Sequence, residues 1–180
     1  MFIPEIGRKR RGDMQTTTKG FTLIELLVTL AVAAIIATIA VPGFSELMRS
    51  NRAVTDVNKL VTALNYARSE AVRRGERVTL CPSSNGSSCA AGTDWVDGWI
   101  AFSDPDASGA PAADGSDLLR VWNGLAIGAS LTGPANLGFQ GQGTATAASR
   151  FDYTIDGQLG RLACINAVGR TQVRKGAASC

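Results

Sequence analysis

Four groups of residues in this 180-residue chain have types and spacings that could do chemistry. The first is a lone carboxylate, Glu25, inside an otherwise uncharged apolar run. The second is the set of four cysteines, Cys81, Cys89, Cys164 and Cys180. The third is the acidic set Asp94, Asp97, Asp104 and Asp106, and the fourth is the basic set Arg161, Arg170, Arg174 and Lys175. There is no histidine, so a Ser-His-Asp triad or a histidine general base is excluded. No glycine-rich phosphate loop follows a strand-like segment either, and no enzymatic activity is expected.

Each group implies a different kind of chemistry. A carboxylate in hydrocarbon costs a few kcal/mol near the bilayer centre, less near the edge, so Glu25 asks for a cationic partner. The cysteines lack Cys-x-x-Cys spacing and have no histidine beside them, which disfavours zinc. In an oxidising compartment they would form disulfides, with three possible connectivities. The favoured one joins Cys81 to Cys89, closing a short loop, and Cys164 to Cys180, tying the last residue to a sheet. The aspartates match no calcium-loop spacing and are expected on the surface. The basic residues suit phosphate contacts, or else form a charged strand edge that discourages aggregation. No cofactor and no metal is expected.

The segments that must hold these residues begin with Phe21 to Val41, a run of 21 residues. As a helix it spans roughly 32 Å, enough to cross a hydrocarbon core of about 30 Å. Arg8, Lys9, Arg10, Arg11 and Lys19 precede it, so the N-terminal flank stays cytoplasmic and the remainder faces outward. The run is too long for the apolar core of a secretory signal peptide, and no small-residue cleavage site follows it. The apparent basicity of the chain, 18 Lys and Arg against 15 Asp and Glu, falls to 13 against 13 once residues 1–20 are set aside. Nucleic-acid binding therefore cannot be argued from overall charge, only from local patches.

Beyond the run, Val54, Val57, Leu60, Val61, Leu64, Ala67 and Ala71 recur at helical spacing while Arg52, Asp56, Lys59, Arg68 and Glu70 fall on other faces, and Gly75 after Arg73-Arg74 is a C-terminal stop. The spacing predicts one helix of about 50 residues, kinked or locally melted at Pro42-Gly43. Strand-like segments follow: Arg77 to Leu80 and Phe151 to Ile155 alternate, and Trp95 to Phe102 and Leu118 to Trp122 are rich in aromatic and branched residues. These predict an antiparallel sheet of about five to seven strands packed on the C-terminal half of the helix. Ser103 to Asp117 has no apolar periodicity and is expected to be a mobile, solvated loop. The fold class is therefore α+β. Its parts are a leader over 1–20, a membrane helix over 21–48, an amphipathic helix over 49–75 and a β-rich head over 76–180.

Lys19-Gly20-Phe21-Thr22-Leu23-Ile24-Glu25-Leu26, with Pro42 further on, resembles the class III signal of type IV prepilins and type II secretion pseudopilins. The resemblance implies a pilin-like fold, cleavage after Gly20 by a prepilin peptidase, and N-methylation of Phe21. It implies an inner-membrane subunit with its head in the periplasm, later built into a filament with other pilins by an inner-membrane assembly platform. Cleavage would leave an α-amino group, with an ordinary pKa of about 7.7 to 8, at the membrane edge. Glu25 of a neighbouring subunit could neutralise it, and a charge pair matched only across subunits sets register.

Ala67-Arg68-Ser69-Glu70-Ala71, Arg77-Val78-Thr79-Leu80-Cys81, Trp95, Gly98, Trp99, Phe102 and Gly169-Arg170 are together similar to the GspH/FimT/FimU family of minor pilins and pseudopilins. Membership implies a place at or near the filament tip, in type IV pilus biogenesis or type II secretion. FimT-like members bind DNA in natural transformation through a Gly-Arg-x-Arg motif. Here the corresponding stretch reads Gly169-Arg170-Thr171-Gln172-Val173-Arg174, with the second arginine later. DNA binding by Arg161, Arg170, Arg174 and Lys175 is thus the alternative function.

Overall fold

The computed structural model describes residues 20–125, 127–156, 158–176 and 179–180, so the basic leader lies outside the described residues. One helix, α1 (Leu23–Arg74), runs for 52 residues. It is long and apolar enough to cross a membrane. The chain divides into two compact units, the second being Phe44–Cys180. Helical structure continues without a break through Pro42 and Gly43, so the expected local melting is absent. Proline removes a single backbone donor, and its fixed φ is itself helical. Apart from that donor, a turn there keeps its ladder.

In the first unit the side chains from Phe21 to Ala40 are all exposed. In the second, α1 buries Ala53, Val57, Leu60, Ala63, Leu64, Ala67 and Ala71. Val54 and Val61, expected in this stripe, are only half-buried, and alanines take their place. Four of these seven side chains are alanines, so the inward face of the helix is shallow. The helix ends where Gly75, at φ 71°, donates its N–H to the carbonyl of Ala71 at 2.9 Å. Only glycine takes that left-handed cap without a Cβ penalty.

The described strands number eight, in two four-stranded antiparallel sheets. The first contains β1 (Val78–Pro82), β2 (Gly98–Ser103), β3 (Leu118–Asn123) and β5 (Leu137–Phe139), in the order β3-β2-β1-β5. The second contains β4 (Ala129–Thr132), β6 (Ser149–Ile155), β7 (Gln158–Ile165) and β8 (Thr171–Lys175), in the order β4-β6-β7-β8. Two sheets replace the single one expected because β1 takes the distant β5 on its free edge, while β6, β7 and β8 pair as successive hairpins. The main core lies between the sheets and α1, with Trp95, Trp99, Phe139, Phe151 and Tyr153 fully buried. Trp95 meets Phe151 edge-on at 4.9 Å and donates its indole N–H to Pro134 O at 2.9 Å. Each such ring removes roughly 150–250 Å² from water, worth several kcal/mol at about 25 cal/mol per Å².

β1 is buried on both faces. Val78 and Leu80 join the main core, and Cys81 joins a second cluster with Ile100 and Phe102, flanked by Cys89 and Leu118. The connection from Ser103 to Asp117 is fastened beside that cluster. Asp104, only 1% exposed, accepts from the Thr79 hydroxyl at 2.6 Å and from the Gly109 N–H at 3.2 Å, and faces the Arg77 guanidinium at 3.1 Å. The expectation of a mobile loop with surface acids therefore fails at Asp104. A buried carboxylate needs donors and a counter-charge, and Thr79 on β1, Gly109 and Arg77 just ahead of β1 supply them.

Candidate functional site

Gly20 and Phe21 lie just ahead of α1. Phe21 is 84% exposed, and the space around Gly20 is open. Thr22 caps the helix, its side-chain oxygen accepting the Glu25 N–H at 3.2 Å and its carbonyl the Leu26 N–H at 3.2 Å. Thr22-x-x-Glu25 is the spacing of a capping box, a sequence signal that the charge argument passed over. Glu25 therefore sits in the first turn of the helix, where the dipole favours a negative charge. Its side chain points to open surroundings within this single chain.

Cys81 is bonded to Cys89 and Cys164 to Cys180. The first bond closes the loop over the second hydrophobic cluster. The second draws the C-terminus back to β7, beside which Leu162 is fully buried although it points away from the main core.

The four basic residues of the C-terminal stretch do not form one row. Arg161 on β7 pairs directly with Lys175 on β8, in register with Ala163 and Val173 and with Ile165 and Thr171. Ala163 and Ile165 belong to the core, so Arg161 and Lys175 end the row that faces α1. Arg174 opposes Leu162 and points to the other face of the sheet, while Arg170 precedes β8 at its far end. By the pleat, Arg170, Gln172 and Arg174 share the outward side of this edge strand, and all three are exposed.

Several residues singled out by the family resemblance meet in space. From α1, Arg68 donates to Gly143 O at 2.8 Å and to Val168 O at 3.0 Å. Gly169, buried and at φ 77°, packs against Gly143 O and the Arg68 side chain. Any Cβ there would collide with both, so this glycine shapes the turn that presents Arg170. Asp56, expected on an outer face of the helix, is buried instead and accepts the Tyr153 hydroxyl at 2.8 Å. Burial, and then the Asp56 carboxylate, push the Tyr153 hydroxyl pKa well above its ordinary value. Arg120 on β3 stacks over Tyr66 and Trp122, each ring centroid 5.2 Å away.

The arrangement has two parts, an exposed apolar stem with one acid and a disulfide-closed head, and among the described residues no group of three or more His, Cys, Asp or Glu side chains is placed to hold a metal ion. Comparison with known proteins agrees with that division. The family model for Type II transport protein GspH matches residues 56–169, and the model for the prokaryotic N-terminal methylation motif matches residues 16–41. No curated protein matches the sequence. Among solved structures, the type IV minor pilin FimU of Pseudomonas aeruginosa PAO1 shares the fold in two crystal forms, each at 22% identity. One gives a TM-score of 0.51 over 67% of this chain and 90% of that one, the other 0.53 over 72% and 90%.

Proposed function

This chain belongs to the GspH family of minor pilins and pseudopilins, and we propose that it is cut after Gly20 by a prepilin peptidase, N-methylated on Phe21 and assembled at or near the tip of a filament. Until then it stays in the inner membrane with its head in the periplasm. The observation that carries this reading is the order of parts on one chain: a methylation motif, an exposed apolar helix with a single acid in its first turn, then the family's head. In a filament the exposed stem side chains would be covered by neighbouring stems, and Glu25 would meet the α-amino group of an adjacent subunit. Such a pair fixes axial register because it is satisfied only when both stems are aligned.

Two substitutions test it. Gly20→Ala should leave the leader attached in cells that contain the peptidase; a mature-sized product from that variant on an immunoblot contradicts the processing step. Glu25→Ala should be cleaved normally and yet co-purify with other pilin subunits far less than the parent chain does. Undiminished co-purification removes the charge pairing.

A second reading, DNA binding in transformation, is favoured by the exposed Arg170 and Arg174 on the outward side of β8. Two phosphate contacts would give weak, sequence-independent binding with a salt slope of about −2. Gel-shift titration of the head with duplex DNA decides it: a shift that persists in the Arg170→Ala, Arg174→Ala double variant rules these residues out.

A further inference from the structure

Two clefts flank α1 just beyond its apolar run. One is lined by Glu46, Arg49, Ala53, Arg161 and Lys175, the other by Met48, Arg49, Arg52 and Asp156. The first has 120 Å³ of room, where about 10–15 Å³ suffices for one water, so a phosphate-sized group enters. Its charges are unbalanced. The Arg49 guanidinium is matched by Asp156 at 3.0 Å and by Glu46 at 3.7 Å. Arg161 and Lys175 stand directly opposite each other on neighbouring strands, an arrangement of like charges that destabilises a sheet unless an anion sits between them.

The same stretch of helix carries exposed apolar side chains. Phe44, Leu47 and Met48 are 64%, 55% and 53% exposed, within the five residues before Arg49. Cations beside unburied apolar groups suit the boundary of a bilayer, where the chains meet the acyl layer and the cations meet phosphates. In the sequence Glu46 and Arg49 follow Val41 by only five and eight residues, so the chain itself keeps them near the end of the apolar run.

We propose that the cleft of Arg161 and Lys175 binds the phosphate of an anionic phospholipid and holds the head against the membrane before the subunit is drawn into a filament. The inference rests on the membrane-anchored reading above. It also gives Arg161 and Lys175 a role separate from the outward Arg170 and Arg174.

The test uses the full chain in bilayer nanodiscs of phosphatidylcholine, with or without one part in about four of phosphatidylglycerol. Acetylation of the Lys175 amine by a membrane-impermeant reagent is followed by mass spectrometry, with Lys59 as internal reference. Phosphatidylglycerol should slow Lys175 relative to Lys59 about fivefold, the factor for roughly 1 kcal/mol per basic residue at an anionic surface. Arg161→Lys should keep that effect and Arg161→Ala should lose most of it, with unchanged thermal unfolding of the head.

An equal Lys175 rate in the two kinds of disc overturns the proposal. So does equal slowing by free glycerol phosphate in neutral discs, which would assign a site for soluble anions, or slowing only when an acidic peptide is added, which would assign a protein contact. A chain that does not enter discs removes the anchored reading together with the cleft, whereas a chain that enters with Lys175 unprotected removes the cleft alone.

Discussion

Leu27 and Leu64 lie on the same helix, ten turns apart, in opposite circumstances. Leu27 is 54% exposed with only other stem side chains around it, and Leu64 is wholly buried against two sheets. In the head, the core from Ala53 to Ile165 is satisfied within one chain. Among the described residues the stem side chains from Phe21 to Ala40 have no such partners and stay exposed. The same residue type therefore stabilises the fold at one end of the helix and is left open to an apolar surrounding at the other.

Substitutions can break that contrast or sharpen it. Leu64→Ala should lower the unfolding free energy of the head by about 2–5 kcal/mol in urea titration, since Leu64 is wholly buried in the main core and its removal leaves a cavity there. Asp104→Ala strips the half-buried Arg77 of its counter-charge and should cost about 3 kcal/mol, with faster proteolysis between Ser103 and Asp117; an unchanged melting point would show that the connection is not fastened there.

Tyr153→Phe should cost about 1 kcal/mol, the usual worth of one buried hydrogen bond, and should also change the alkaline limit. The hydroxyl pKa is raised in the folded head, so the stability that comes from keeping it neutral is complete below the ordinary tyrosine value of about 10 and is lost as pH rises beyond it. Unfolding followed from pH 8 to 11 should show that decline in the parent chain and less of it in the variant. The smallest effect belongs to the stem. Leu27→Ala should leave head unfolding within about 0.5 kcal/mol of the parent. A larger change would mean that stem and head fold as one.

Much of this architecture is legible in the residues. The helix, its stop at Gly75 and the strands around Val78, Trp99, Leu118 and Phe151 follow from local periodicity. The three- and four-residue strands β5 and β4 are too short to carry a period, and β8, with the sequence Thr-Gln-Val-Arg-Lys, looks polar because one edge of it meets water. The division into two sheets depends on β1 meeting β5, a pairing between segments far apart in sequence that no local pattern specifies. Asp56 and Asp104 were misplaced for a related reason. A carboxylate is assigned to the surface by default, and the groups that make burial tolerable, Tyr153 and Thr79, lie 97 and 25 residues away.

The bond between Cys164 and Cys180 spans a sequence separation of 16 and encloses the whole of β8. In a polymer of such subunits, an outermost ribbon is the natural piece for neighbours to trade. Here the ribbon begins and finishes inside a covalent hoop anchored on β7, so it cannot be lent to an adjacent molecule without reduction of the hoop. In such a polymer, subunits joined through this rim would meet as finished bodies, and the fibre could be taken apart again without any head losing its own thread.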